Sequence, residues 1–408
     1  MYKYLCLITL TLLATTASGG YVVTGEYGTT YLSGHITILG YQTSRNEFQD
    51  KNSDGGVLDL DIGGIVTHVF NPYISASVYT TVDNLVDYGF VQVQYPMNNT
   101  TVGVRAGRVN VISGLFAGLG PFSDEMNFLP QGTEPDRIGS SIYRVDGVQL
   151  FWEITPTLDA GFTFEFLYGD PVLNDEKGVF NPAFFAIFEP SSLGIEFNRH
   201  STMFNVNGYY RDLSFVFNYA NMDANVQGTY VNMIPLEDIT GNPEDTGKYL
   251  DVVEESTYDN YPSEYWKFGI AYGWDNLELM ITHLQQTNRP DYSDYLPDDR
   301  PSKYVTAGQT YMARYGWSIY TTVYGGYSKM DSEFGNDEIT GYYKEAPDWI
   351  DDTESVFGGV WHRLLDNVTV IGEAHYVEGG MYLNGRYQDP TVSKKNWMLY
   401  SLSVNLIF

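Results

Sequence analysis

Apolar and polar residues alternate with a period of two through most of this 408-residue chain. Leu32, Gly34, Ile36 and Ile38 alternate with Ser33, His35 and Thr37. Val148, Leu150, Trp152 and Ile154 alternate with Gln149, Phe151 and Glu153, and Trp266, Phe268, Ile270, Tyr272 and Trp274 with Lys267, Gly269, Ala271 and Gly273. A strand points successive side chains to opposite sides, so this pattern predicts strands with one apolar and one polar face. Past residue 20 no window holds the roughly 18 consecutive apolar residues of a membrane-crossing helix, and no sustained 3.6-residue periodicity competes. The apolar face has two possible destinations. In a soluble sandwich it packs on a second sheet; in a lipid-embedded barrel it meets hydrocarbon while the polar face lines a wet interior. Alternation alone does not separate them.

Composition narrows the partners. Acidic residues outnumber basic ones 51 to 22, for a net charge of −29, and such a chain lacks the basic surface that nucleic acid requires. A single cysteine, Cys6, excludes a disulfide framework and a cysteine-based metal site. It lies in the N-terminal segment, where Lys3, an apolar run from Leu5 to Ala14 and small residues up to Ala17 make residues 1–17 read as a secretory signal. Residues 18–408 then form one unit.

The connections supply the missing discrimination. Short turns are expected at Asn71-Pro72, Pro96–Thr100, Thr155-Pro156-Thr157, Arg211-Asp212, Asp275-Asn276, Tyr315-Gly316 and Asp366-Asn367. Long links rich in Asp, Glu, Pro, Asn and Gly are expected at 41–56, 110–145, 169–192, 222–263, 287–302, 329–353 and 379–394, and a short one at Asp83–Asp87. One tight rim and one elaborated rim describe an all-β, up-and-down antiparallel transmembrane β-barrel of about 16 strands, with 18 as the competing count. The chain ends in an amphipathic strand, with Tyr400, Leu402, Val404, Leu406 and Phe408 on one face. It resembles the C-terminal signal by which outer-membrane assembly machinery recognises its clients.

A family resemblance follows. Arg105-Ala106-Gly107-Arg108, Leu129-Pro130-Gln131, Asp136-Arg137 and Asp146-Gly147-Val148-Gln149-Leu150 are similar to a run found in bacterial outer-membrane porins, in a branch like the phosphate-selective group. The resemblance implies a homotrimeric channel in the outer membrane of a Gram-negative bacterium, with the link after the fifth strand, 110–145, folded into the pore. It does not carry over phosphate selectivity, because an anion pore wants a lysine- and arginine-lined constriction.

A constriction sorts solutes by charge. The pore-folded link offers Asp124, Glu125, Glu134, Asp136 and Arg137; the wall offers Arg105, Arg108, Glu153, Glu165, Lys267, Glu278, Arg314 and Glu373. Acid on the link facing base on the wall would set a transverse field, and the acidic surplus favours cations. The expectation is a water-filled channel for passive diffusion of small hydrophilic solutes and ions, cation-preferring. The competing readings are an outer-membrane adhesion or receptor protein with long acidic loops, and a soluble secreted β-protein. Asp50, Asn52 and Asp54, with Asp61 at the twelfth position, also fit a calcium loop, against the plainer reading of a hairpin tip. Catalysis is not expected. The histidines, His35, His68, His200, His283, His362 and His375, form neither HxxxH nor HExxH, and no phosphate loop or dinucleotide fingerprint is present.

Overall fold

A computed structural model describes residues 20–44, 57–82, 87–110, 142–173, 194–197, 200–235, 249–289, 304–334, 352–379 and 395–408. In chain order the strands are β1 (Tyr21–Gly25), β2 (Gly28–Thr43), β3 (Val57–Asn71), β4 (Ile74–Thr81), β5 (Tyr88–Met97), β6 (Thr100–Asn110), β7 (Ile142–Thr157), β8 (Ala160–Leu173) and β9 (Gly194–Phe197). There follow β10 (Ser201–Tyr210), β11 (Leu213–Pro235), β12 (Tyr249–Trp274), β13 (Leu277–Asn288), β14 (Tyr304–Ser318), β15 (Thr321–Phe334), β16 (Asp352–Leu365), β17 (Val368–Gly379) and β18 (Asn396–Ile407). Each pairs antiparallel with its sequence neighbour, except that β8 pairs with β10 and β9 docks on β11 beyond it. Pairing of β18 with β2 closes a barrel of 16 strands.

The tight rim consists of two-residue turns, such as Asn98-Asn99, Arg211-Asp212 and Asp275-Asn276. Their first residues have positive φ (29°, 54° and 51°), as twisted hairpins of this length require. The turn expected at Asn71-Pro72 stands one residue on, at Pro72-Tyr73, and two others move further. The β7–β8 turn is Leu158-Asp159 rather than Thr155–Thr157, and the β14–β15 turn is Ile319-Tyr320 rather than Tyr315-Gly316. In the second case Gly316 stays paired with Thr322, and a bulge after it carries the ladder to Ser318 and Thr321. The expected link 222–263 is also shorter, because β11 and β12 stay in register out to Pro235 and Tyr249.

The outward positions are apolar and open: Leu150, Trp152, Phe166, Leu279, Ile281, Val356 and Leu402 are all exposed. Tyr210, Tyr272, Trp274, Tyr315, Trp317 and Tyr320 add an exposed aromatic band at the tight rim. Inward neighbours of the same strands, such as Gln149, Glu165, Asn205, Lys267 and Thr282, are polar and buried. A soluble sandwich would invert this arrangement. An apolar exterior with aromatic edges, and an interior that holds the buried polar and charged groups, fits a bilayer, where ring closure leaves no backbone edge unpaired in hydrocarbon.

The seam carries its own reinforcement. β18 pairs with His35–Thr43 of β2, while β1 pairs with Gly28–Leu32 farther along the same edge. Where the two meet, Phe408 N–H donates to Gly34 O at 2.8 Å, Gly34 N–H donates to Phe408 O at 2.6 Å, and Ser33 Oγ donates to Phe408 O at 2.9 Å. The Phe408 ring lies against Gly34, where a Cβ would come within 2.6 Å of it.

Two substitutions test this architecture. Gly34→Val forces the Phe408 ring aside and is expected to cost ~1–3 kcal/mol, read as a lower urea midpoint of the folded barrel. Ile281→Arg, near the middle of β13 on the outward face, is expected to cost ~2–4 kcal/mol in lipid vesicles. A cost near zero in vesicles would show that this face does not meet acyl chains.

Candidate functional site in the barrel lumen

Register and burial together give the inward set. Arg105 on β6 stands across from Gln92 of β5 and Gln149 of β7. Its Nε donates to Gln92 Oε1 at 2.7 Å and its Nη1 donates to Gln149 Oε1 at 2.8 Å, with Glu165 Oε1 of β8 at 3.5 Å. The guanidinium carbon lies 4.5 Å from the centre of the Phe151 ring and 5.6 Å from that of Phe90. A planar cation with donors in a fork suits this position, since it can stack and donate at once.

The polar track continues around the wall. Glu165 Oε2 accepts from Asn205 Nδ2 at 3.3 Å, and Asn205 Oδ1 accepts from Asn218 Nδ2 at 3.0 Å. Asn218 stands opposite Lys267 of β12. From β5 to β12 the interior therefore bears a chain of amides and charges at matched heights. Its members fall two residues apart along each strand from the next inward position, which is why period two finds them.

The other half of the wall differs. Inward residues of β12 to β17 form a buried apolar cluster of Ala271, Met280, Met312, Tyr324, Phe357, Trp361 and Ile371. Polar groups edge it. Tyr324 Oη donates to Glu373 Oε1 at 2.6 Å, and His375 Nε2 lies 3.6 Å from Glu373 Oε2. Gly359 lets the phenol cross to Glu373, since a Cβ there would collide with the Tyr324 hydroxyl. Arg314 Nε pairs with Glu278 Oε2 across β13 and β14. On β2 and β3, His35 Nε2 is 3.2 Å from Asp61 Oδ2, and the Tyr79 ring stacks on His35 with centroids 6.0 Å apart.

Of the residues expected to line a pore, Arg105, Glu153, Glu165, Lys267, Glu278, Arg314 and Glu373 all have inward parity. Arg108 does not, which corrects its assignment. It shares the exposed face with Ala106 and Val148 and makes a two-pronged pair with Asp146, Nε to Oδ1 at 2.7 Å and Nη2 to Oδ2 at 2.9 Å. Residues three apart on a strand point to opposite faces. Asp124, Glu125, Glu134, Asp136 and Arg137 lie outside the described residues, as do Asp50, Asn52 and Asp54 of the expected calcium loop. Asp61 sits within β3 and is engaged with His35. Among the described residues no group of three or more metal-ligand side chains occurs.

Sequence reasoning missed Gln92, Gln149, Asn205, Asn218, Phe90 and Phe151. Gln149 and Phe151 share the parity of Glu153 on β7, which was the available signal; Gln92, Phe90, Asn205 and Asn218 lie on strands with no charged residue singled out. Near the long-link rim Arg144 pairs with Asp87; burial pushes the Asp87 carboxyl above its ordinary value, against the pull of Arg144.

Charge on this wall nearly balances. The inward carboxylates with described side chains are Asp61, Glu153, Glu165, Glu278 and Glu373; the inward cations are Arg105, Lys267, Arg314 and Arg363. The large acidic excess of the chain is therefore not a property of the wall.

Known structures share this architecture. A trimer form of in-vitro folded OmpT, an outer membrane protein of Vibrio cholerae, is 12% identical over 96% of this chain and 100% of that one, with a TM-score of 0.52. The outer membrane channel DcaP of Acinetobacter baumannii is 10% identical over 96% of this chain and 100% of that one, with a TM-score of 0.54. An anion-selective porin from Comamonas acidovorans is 13% identical over 93% and 99%, with a TM-score of 0.53. The fold is that of the outer-membrane porins. No protein-family description and no curated protein matches the chain in sequence.

Arg105 is expected to hold the lumen wall together. Arg105→Ala should lower stability by about 3 kcal/mol, because it strands a buried carboxylate and two amides. Arg105→Lys should cost less but still fail to restore the fork. Urea unfolding followed by tryptophan fluorescence reads both, and an unchanged midpoint for Arg105→Ala would remove the network's structural role.

Proposed function

We propose that this protein is a porin, a water-filled channel for passive diffusion of small hydrophilic solutes and ions across the outer membrane of a Gram-negative bacterium. The observation that carries the reading is a closed ring of strands that is apolar outside and bears inside the partly exposed charged side chains of Asp61, Arg105, Glu278 and Arg314, set among buried polar groups such as Asn205 and Asn218. A lining of charges and amides is what a hydrated path needs. The likeness to the outer membrane channel from Acinetobacter baumannii and to the porin from Comamonas acidovorans supports it. The trimer form among the similar structures supports a homotrimer, which the sequence resemblance also implies. Passive diffusion needs no catalytic group, and the reading assigns none.

Cation preference is the finer part of the proposal. With the wall nearly neutral, selectivity falls to the acidic links, above all Asp124, Glu125, Glu134 and Asp136. Acid concentrated at a mouth or eyelet raises the local cation concentration. The anion-selective porin has the same fold, so the fold does not fix the sign.

Conductance across a planar bilayer tests the channel, and reversal potential in a potassium chloride gradient tests its sign. Steady conductance with a cation-selective potential is expected. Changing those four carboxylates together to amides should move the potential toward zero. No conductance from folded protein would end the channel reading, and an anion-selective potential would end the cation preference alone.

A further inference from the structure

Just inside the tight rim the lumen wall forms a half-open recess of about 380 Å³, bounded by Asp275, Asn276, Glu278, Arg314, Tyr324 and Trp361. It sits across the ring from Arg105, where β12 turns into β13. Its walls divide by chemistry. On one side Glu278 and Arg314 stand directly opposite one another on adjacent strands, each keeping about a quarter of its side chain exposed (26% and 27%), with Asp275 in the turn beside them. On the other side are the rings of Tyr324 and Trp361. Beside those rings, in the same buried cluster, are Met280, Met312, Phe357 and Ile371.

We propose that this recess is a binding site for small zwitterions carrying an apolar group, of which apolar α-amino acids are the simplest. The inference rests on the channel reading and names the solute class that one site within it takes. A lone inorganic ion would use one sign of the pair and leave the aromatic wall unused. A singly charged organic ion meets the opposing member of the pair as a repulsive neighbour. A neutral sugar has no use for full charges of both signs. A ligand with a carboxylate toward Arg314, an ammonium toward Glu278 and Asp275, and an apolar group against Trp361 and Tyr324 uses every wall. The volume lies at the small end of ligand sites and suits a single amino acid. The buried cluster beside the rings lowers the local polarity and so strengthens the polar contacts.

Current through single channels in planar bilayers tests the site at ~0.1 M salt, where the screening length is about 10 Å. The probes are phenylalanine and two relatives with one charge each, 2-phenylethylamine and 3-phenylpropionate. Phenylalanine added on the tight-rim side is expected to interrupt the current at concentrations at least ~10-fold lower than either relative, a difference of about 1.4 kcal/mol. Arg314→Gln and Glu278→Gln should each bring phenylalanine to the level of the relatives, while Arg108→Gln, on the outer face, should leave its effect unchanged. Asp275→Asn, a substitution the turn's positive φ accepts, should weaken phenylalanine about two- to threefold. It serves even where the paired-charge variants fail to fold. Equal potency of the three probes in a conducting parent, or full preference retained in Arg314→Gln or Asp275→Asn, overturns this inference. A parent without conductance overturns the channel reading instead.

Discussion

Hydrocarbon offers no partner to a peptide group, so a sheet placed in it must close on itself. In this protein closure depends on one seam, β18 against β2, and every other pairing is a hairpin neighbour along the chain except around β9. Once the ring is closed, the period of two decides the rest. Each strand sends alternate residues to lipid and to the lumen, and a shift of one residue would exchange the two faces entirely. The seam is accordingly fixed at its end by both backbone bonds between Gly34 and Phe408 and by a glycine that admits the final ring.

The lumen is organised as two unlike halves. From β5 to β11 amides and charges are linked by hydrogen bonds in sequence, with Arg105 joined to Gln92, Gln149 and Glu165. From β12 to β17 an apolar cluster that includes Met280, Met312, Phe357 and Ile371 takes part of the inward face, among buried polar residues such as Thr282, Thr310, Ser328, Ser355 and His375. The first half keeps charged groups in place against water and against one another. The second gives a wall on which the apolar part of a solute can rest. A ring with both surfaces presents unlike environments to a solute crossing it.

Much of this was legible in the sequence because it depends on parity. Glu165, Lys267, Glu278 and Arg314 could be placed inward without coordinates, and the tight turns Arg211-Asp212, Asp275-Asn276 and Asp366-Asn367 stand where turn-forming residues predict them. Arg108 was misplaced because its proximity to Arg105 in the motif outweighed the rule that an offset of three changes face. Gly316 misled because glycine marks both turns and strand positions, and here it lies in a ladder beside a bulge. The outer parts of β11 and β12 were missed because their acidic, amide-rich sequence resembles a link, while their pairing depends on each other. The hydrogen-bond partners of Arg105 come from three other strands, and sequence alone does not say which heights coincide.

β1 and β18 lie end to end along one edge of β2, with Tyr21 opposite Leu32 and the last bonds of Phe408 at Gly34. This geometry makes β1 a doorstop. If β18 slid by two residues toward the tight rim, its end would run into the place Tyr21 already occupies; if it slid the other way, Gly34 and Ser33 would lose their partners. The stagger around a closed ring is a single shared quantity, so arresting it at one edge sets the tilt of all the strands and with it the width of the opening.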